Sequence, residues 1–249
     1  VVRGLRAQIE QLGGEIRFQA RVERLELDPA TRQVRAVRLA SGERIAADQV
    51  VMAVGHSARD SFAMLHAQGV AMERKPFSVG FRIEHPQPLI DAARWGSCAG
   101  HPQLGAAEYK LVHHASNGRC VYSFCMCPGG LVVGATSEPG RVVTNGMSQH
   151  SRNERNANSG IVVNIEPEDV EPYGNGPADP LAGVAFQRHW EGQAYALGGE
   201  TFAAPGQRLG DFLAGRSSQA TGSVQPSYAP GVTLTDLSSA LPDYAIEAL

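Results

Sequence analysis

Three of the four cysteines crowd into one short stretch, Cys120-x4-Cys125-x-Cys127, which runs straight into Pro128-Gly129-Gly130. On a strand, Cys125 and Cys127 point to the same face. Thiols placed so could relay two electrons, because a thiolate attacks disulfides and comparable electrophiles. They could also join His113 or His114 around zinc, although this spacing fits no common zinc pattern. The third reading is that they pack as small hydrophobes. Pro128-Gly129-Gly130 reads as a turn, or as backbone N–H groups turned toward a ligand. His56 follows Gly55 at the end of an apolar run, where an imidazole could move protons near neutral pH or merely finish a turn. Arg82 could grip a carboxylate through its guanidinium, or pair structurally with Glu84. Asn145, Ser148, Arg152, Asn156 and Asn158 form a polar group whose amides and hydroxyls suit substrate or cofactor edges, and equally suit turn capping.

The elements that position these residues follow from periodicity. Val1, Val2, Leu5, Ile9 and Leu12 give a helical stripe stopped by Gly13-Gly14. Glu15–Phe18 reads as a short strand. Val22, Leu25 and Leu27 mark a second strand whose alternation slips near Arg24. Asp28-Pro29-Ala30-Thr31 turns the chain into a strand over Gln33–Leu39, and Ser41-Gly42-Glu43 turns it again. Gln49–Gly55 is a continuous apolar run, as a strand buried on both faces would be. Ala58–Gln68 is helical. Further strands are expected at Phe77–Ile83, Tyr109–His113, Cys120–Cys125, Leu131–Ala135 and Ser159–Ile165, and helices at Pro180–Leu197 and, interrupted by Pro242, Leu234–Leu249. In Phe77–Ile83 the apolar side chains alternate, so Ser78, Gly80, Arg82 and Glu84 share the opposite face.

Composition excludes several classes. The chain has 249 residues, 43% of them hydrophobic and 19% charged, with 28 glycines. A solvated disordered chain would be charge-rich and poor in hydrophobics. The formal net charge is -3 and no basic block appears, so a nucleic-acid partner reached through phosphate contacts is not expected. No apolar run approaches the ~20 residues that a spanning helix needs, so no membrane partner is expected either. Four cysteines are too few for a disulfide scaffold, which makes a reducing, cytoplasmic setting the default.

Four separated motifs stand in order: Ala53-Val54-Gly55-His56-Ser57-Ala58-Arg59-Asp60; Lys75-Pro76-Phe77-Ser78-Val79-Gly80-Phe81-Arg82-Ile83-Glu84-His85-Pro86; Phe124-Cys125-Met126-Cys127-Pro128-Gly129-Gly130; and Thr144-Asn145-Gly146-Met147-Ser148 with Asn156-Ala157-Asn158-Ser159. Together they resemble bacterial predicted FAD-dependent dehydrogenases related to the HI0933-like flavoproteins, and the resemblance covers essentially the whole chain. It implies an α/β to α+β fold: part of a two-dinucleotide-binding-type FAD domain (strand, β-meander, return strand) with an inserted mixed-sheet substrate domain. Val54 stands where such proteins usually carry Thr. The resemblance implies that Val22 meets the adenine end of FAD and that Ala53, Val54, Gly55 and His56 lie near the cofactor; the residues themselves make Cys125, Cys127 and His56 the catalytic candidates. Arg82, Asn145, Ser148, Asn156 and Asn158 are the substrate-binding candidates, with a small molecule as substrate and NAD(P)H or another electron carrier as partner. No metal is expected.

A pyrophosphate-binding Gly-x-Gly-x-x-Gly is missing. Gly174-Asn175-Gly176-Pro177 supplies only two of its glycines and leads into no apolar helix. The expected organisation is therefore a partial FAD-binding domain at 1–75 with a meander at about 22–47, a substrate domain at 76–233, and the start of a return to the FAD domain at 234–249. The chain reads as the central portion of a longer FAD-dependent oxidoreductase, which its opening on Val1 rather than Met fits, and by itself it is expected to bind FAD weakly or not at all. The rival readings are a non-enzymatic ligand-binding module and a cysteine-based redox or zinc sensor.

Overall fold

Helix α1 (Val2–Gln11) opens the first of two units into which a computed structural model of residues 1–249 divides, Val1–Glu73 and Arg74–Leu249. Its apolar stripe forms as the spacing predicts, yet the helix buries no residue: Val2, Leu5 and Ile9 are all exposed. Strands β1 (Val22–Leu27), β2 (Val34–Leu39) and β3 (Arg44–Ala46) then pair in sequence order as an antiparallel meander. The slip near Arg24 is a register shift between Val22 and Arg24. The Asp28 carboxylate closes the first turn by accepting from the N–H groups of Ala30 (3.1 Å) and Thr31 (2.9 Å). The Thr31 backbone bond, helped by the Thr31 hydroxyl and Arg35, brings Asp28 down to about 2. Glu26 pairs with both Arg38 and Arg44 across the sheet.

Helix α2 (Arg59–Ala67) follows. The residue after it, Gln68, works as a substitute strand for the outer edge of β1. Its amide donates to the Leu25 carbonyl (2.7 Å) and accepts from the Leu25 N–H (3.0 Å). Two expected strands are absent. Glu15–Phe18 and Gln49–Gly55 lie outside every strand, and Phe18 and Val51 are 69% and 89% exposed. An apolar run becomes a strand only where a neighbour takes up its amides, and the meander sheet ends at β1 on one side and β3 on the other.

The second unit is built on one long antiparallel pairing. Strand β4 (Phe77–Pro86) is followed by helix α3 (Gln87–Trp95), the short strand β5 (Val112–His114), the long strand β6 (Cys120–Gly134), β7 (Thr144–Ser148) and β8 (Asn156–Ile165). The sheet order is β4-β8-β6-β5, with β7 also paired to β6, and every pairing is antiparallel. The expected strand at Tyr109–His113 shrinks to β5. The stretch around Asn145 and Ser148, without clear alternation, proves to be β7.

Behind the sheet, helix α4 (Ala182–Leu197) is followed by strand β9 (Ala204–Gly206), the short helix α5 (Leu209–Leu213), strand β10 (Val232–Leu234), parallel to β9, and helix α6 (Asp243–Ala248). The odd-numbered face of β4 carries the core. Val79 and Phe81 pack with Val121, Val163, Leu241 and Ala245. Phe186 of α4 is wholly buried and meets Phe77 and Tyr173 edge-on, at 5.7 and 4.9 Å between ring centres. Beside this core the Arg119–Asp169 ion pair is mostly enclosed, with side chains 19% and 14% exposed.

Candidate functional site

The polar face of β4 carries the site. Arg82 stands opposite Gly160 and Glu84 opposite Asn158 on β8, and directly opposed residues project to the same side. That places Arg82, Glu84, Asn156 and Asn158 on one face, as the alternation in the sequence predicts. The Arg82 guanidinium is held by neutral oxygens. Nη1 donates to Asn158 Oδ1 at 2.5 Å and to the Cys125 carbonyl at 3.2 Å, and Nη2 donates to Asn145 Oδ1 at 3.3 Å. Three of the five substrate-binding candidates thus meet directly. Arg82 makes no ion pair with Glu84, which corrects the structural-pair reading. The Glu84 carboxylate is taken by the Ser227 hydroxyl (2.6 Å), the Ser227 N–H (3.0 Å) and the Asn156 amide (3.0 Å). Asn156 is buried and ties this network to the Gln225 carbonyl. Ser148 lies further along, donating to the Pro128 carbonyl at 2.8 Å. Arg152 sits in the loop after β7, and its carbonyl lies against Gly129.

Two bulges in β6 shape this surface. Its register against β8 shifts between Phe124 and Cys127 and again between Cys127 and Gly130. Each bulge contains a residue in the left-handed region, Cys125 at φ 46° and Gly129 at φ 45°. A bulge interrupts the two-residue alternation, so the expectation that Cys125 and Cys127 share an environment fails: Cys125 is exposed and Cys127 is buried. The Cys127 thiol donates to the Cys125 carbonyl at 3.3 Å. Pro128-Gly129-Gly130 is not a turn but the continuation of β6. The Gly129 N–H is not offered outward; Gln87 Oε1 accepts it at 2.6 Å. A side chain at Gly129 would place its Cβ 1.9 Å from the Arg152 carbonyl oxygen, so only glycine fits there. All four cysteines are free, and no group of three or more His, Cys, Asp or Glu side chains is arranged to hold a metal ion.

On the other face, His85 and Tyr109 form a pair that sequence reasoning missed, with Nε2 and the phenol oxygen 3.0 Å apart. Burial pushes the His85 imidazole below its usual range, against the opposing pull of Glu84, and burial raises Tyr109. No local signal links residues 24 positions apart. Ser227 and Gln87, which hold Glu84 and Gly129, were missed for the same reason.

In the first unit, Val22 and Val54 line a cleft of about 530 Å³ together with Val37, Val50, Val51 and Met52. The lining is mostly apolar, with Arg21, Gln49 and Ser61 as its polar members. Ala53, Gly55 and His56 lie beside it in sequence and are exposed. The His56 Nε2 is 3.2 Å from the Ser57 hydroxyl.

The chain as a whole has counterparts among known proteins. Residues 76–249 match the family model for FAD-dependent protein, C-terminal domain-like, and residues 1–70 match that for flavin containing amine oxidoreductase. The first match covers most of the chain, which therefore belongs to that FAD-dependent protein family. The chain is also 44% identical over 250 residues to an uncharacterized protein of Clostridium beijerinckii, spanning all of this chain but 45% of that relative's length. No helix is long and apolar enough to cross a membrane.

Proposed function

We propose that this chain supplies the substrate-binding part, and some of the cofactor-binding part, of an FAD-dependent oxidoreductase acting on a small molecule. The observation that carries the reading is the coincidence of the flavin-family match over 76–249 with the Arg82–Asn158–Asn145 cluster inside it. The HI0933-like dehydrogenases and the two-dinucleotide-binding arrangement are the finer placement we favour, supported by the meander, by the order of the four motifs and by the match over 1–70. The organisation we favour remains a partial FAD domain at 1–75, a substrate domain at 76–233 and a return segment at 234–249.

Bound flavin would supply the hydride-accepting or hydride-donating centre, while the protein supplies orientation and electrostatics. Val22 and Val54 would hold the adenine end through the apolar cleft, with Ala53, Gly55 and His56 beyond it. Arg82, Asn145 and Asn158 would orient the substrate, with Asn156 and Ser148 holding the surrounding backbone. His56 is the proposed proton carrier, and the exposed Cys125 the proposed thiol at the substrate. Cys127, buried against the Cys125 carbonyl, would back it. NAD(P)H or another electron carrier would close the redox cycle.

Absorption spectroscopy tests the reading. The product of the complete reading frame should carry the yellow band of oxidised flavin and lose it on two-electron reduction, while residues 1–249 alone should hold FAD weakly or not at all. A complete product that neither purifies with flavin nor binds added FAD would end it.

A further inference from the structure

We infer that the uncommitted edge of the Arg82 guanidinium is a carboxylate site, so that the substrate carries a carboxylate group. This deepens the oxidoreductase reading and rests on it for the word substrate, though the binding itself can be tested without flavin. A guanidinium has five N–H donors in a planar fork. Both protons on Nη1 are used, by Asn158 Oδ1 and the Cys125 carbonyl, and one on Nη2 by Asn145 Oδ1. The two left over, on Nε and Nη2, are the donors a carboxylate takes in parallel.

The site is held ready for an anion. Every group that positions the guanidinium is a neutral oxygen, so its positive charge has no carboxylate partner in the chain. Asn158, the central support, is 0% exposed, and its Nδ2 has no partner of its own. Burying an amide with an unpaired donor is unfavourable; here its oxygen is fixed on Arg82. The Cys125 carbonyl reaches Nη1 from a residue in the left-handed conformation within the bulge, another unfavourable arrangement directed at the same group. Gly146 completes the clearance. A Cβ there would sit 2.1 Å from Arg82 Nη1 and 2.2 Å from Asn158 Oδ1, so the strand can pass over the pair only as glycine. Asn158, Asn145 and the Cys125 carbonyl are positioning groups, and Arg82 alone touches the ligand.

The test uses the full chain labelled with nitrogen-15. The Nε–H resonance of Arg82 is assigned by its loss in Arg82→Lys. Benzoate should shift it saturably, and benzamide, the same ring without the charge, should bind about tenfold or more weakly. Arg82→Lys, which lacks that resonance and is followed by titration calorimetry, should bind benzoate weaker by a similar factor, because an ammonium offers no planar fork. Gly146→Ala should weaken it too, by displacing the guanidinium. Failure of benzoate to saturate, equal binding of benzamide, or undiminished affinity in Arg82→Lys would overturn the proposal. The benzoate–benzamide comparison, repeated by titration calorimetry on the unsubstituted chain, needs no variant and no assignment, so a substitution that unfolds the chain leaves the test intact. Carboxylate binding in a protein that never takes flavin would leave this site standing and remove the oxidoreductase reading; flavin without carboxylate binding would do the reverse.

Discussion

The two units spend their apolar residues in opposite ways. In Val1–Glu73, only Leu25, Ala36 and Leu39 are buried apolar side chains, while Val2, Leu5, Phe18 and Val51 lie exposed. In Arg74–Leu249, a five-stranded sheet and helices α4 and α6 enclose Val163, Ile165, Phe186 and Ala245 completely. The meander is held by hydrogen bonds and ion pairs at its surface, such as Glu26 with Arg38 and Arg44, and exposed pairs are worth little. The second unit is held by burial, at roughly 25 cal/mol per Å² of apolar surface removed from water. That contrast locates the rigidity: the carboxylate site rests on a packed sheet, whereas the cleft of the first unit is lined by side chains that are themselves partly exposed.

The contrast can be broken most directly at Phe186. Phe186→Ala should cost about 3–5 kcal/mol, as large-to-small changes in a packed aromatic cluster do. Both tryptophans, Trp95 and Trp190, lie in the second unit, so their fluorescence during urea unfolding reports on it alone. An unchanged midpoint would mean that burial is not what holds this unit.

A smaller effect is expected from acid. The hydrogen bond and charge of Arg119 hold Asp169 below the usual carboxylate range. A carboxylate with a lowered folded value stabilises the protein above its unfolded value, ~4, and the contribution is lost as pH falls through the folded value. The second unit should therefore lose stability below about pH 4, and Asp169→Asn should be less stable at pH 7 with a flatter acid profile. Equal acid profiles for the variant and the parent would show that this pair does not set the response.

The smallest change is expected in the first unit. Val51→Ser removes an apolar side chain that is 89% exposed and should alter stability by less than about 0.5 kcal/mol, read from amide exchange in the meander. A loss several times larger would mean that residues 49–55 are covered in solution, and the comparison between the units would need redrawing.

Local signals carried much of this architecture. The register slip near Arg24, the turn at Asp28, helix α2 and the alternation of β4 were legible because each depends on neighbours a few positions away. So was the shared face of Arg82 and Glu84, since period two fixes it. The strand through Pro128-Gly129-Gly130 was not legible. Proline and two glycines mark a turn in any local reading, and only the Arg152 carbonyl packed against Gly129 and the acceptor on Gln87 explain why the chain continues as a bulged strand. Gln49–Gly55 failed in the opposite direction: its residues suit a strand, but no strand of the unit lies beside them. The cysteine pair failed because a bulge changes which way alternate residues face, and the bulge is set by pairing with β8.

Sequence alone determined which residues could take part: a guanidinium on the polar face of β4, a set of amides further on, and an order of motifs shared with flavoproteins. Tertiary structure decided which of them meet. Asn145 and Asn158 reach Arg82 from strands 63 and 76 residues away, while His56 and Ser148 find other neighbours. The physical reason is that side-chain identity is local, but the oxygens that fix a charge are chosen by strand pairing, and pairing depends on residues far apart in the chain.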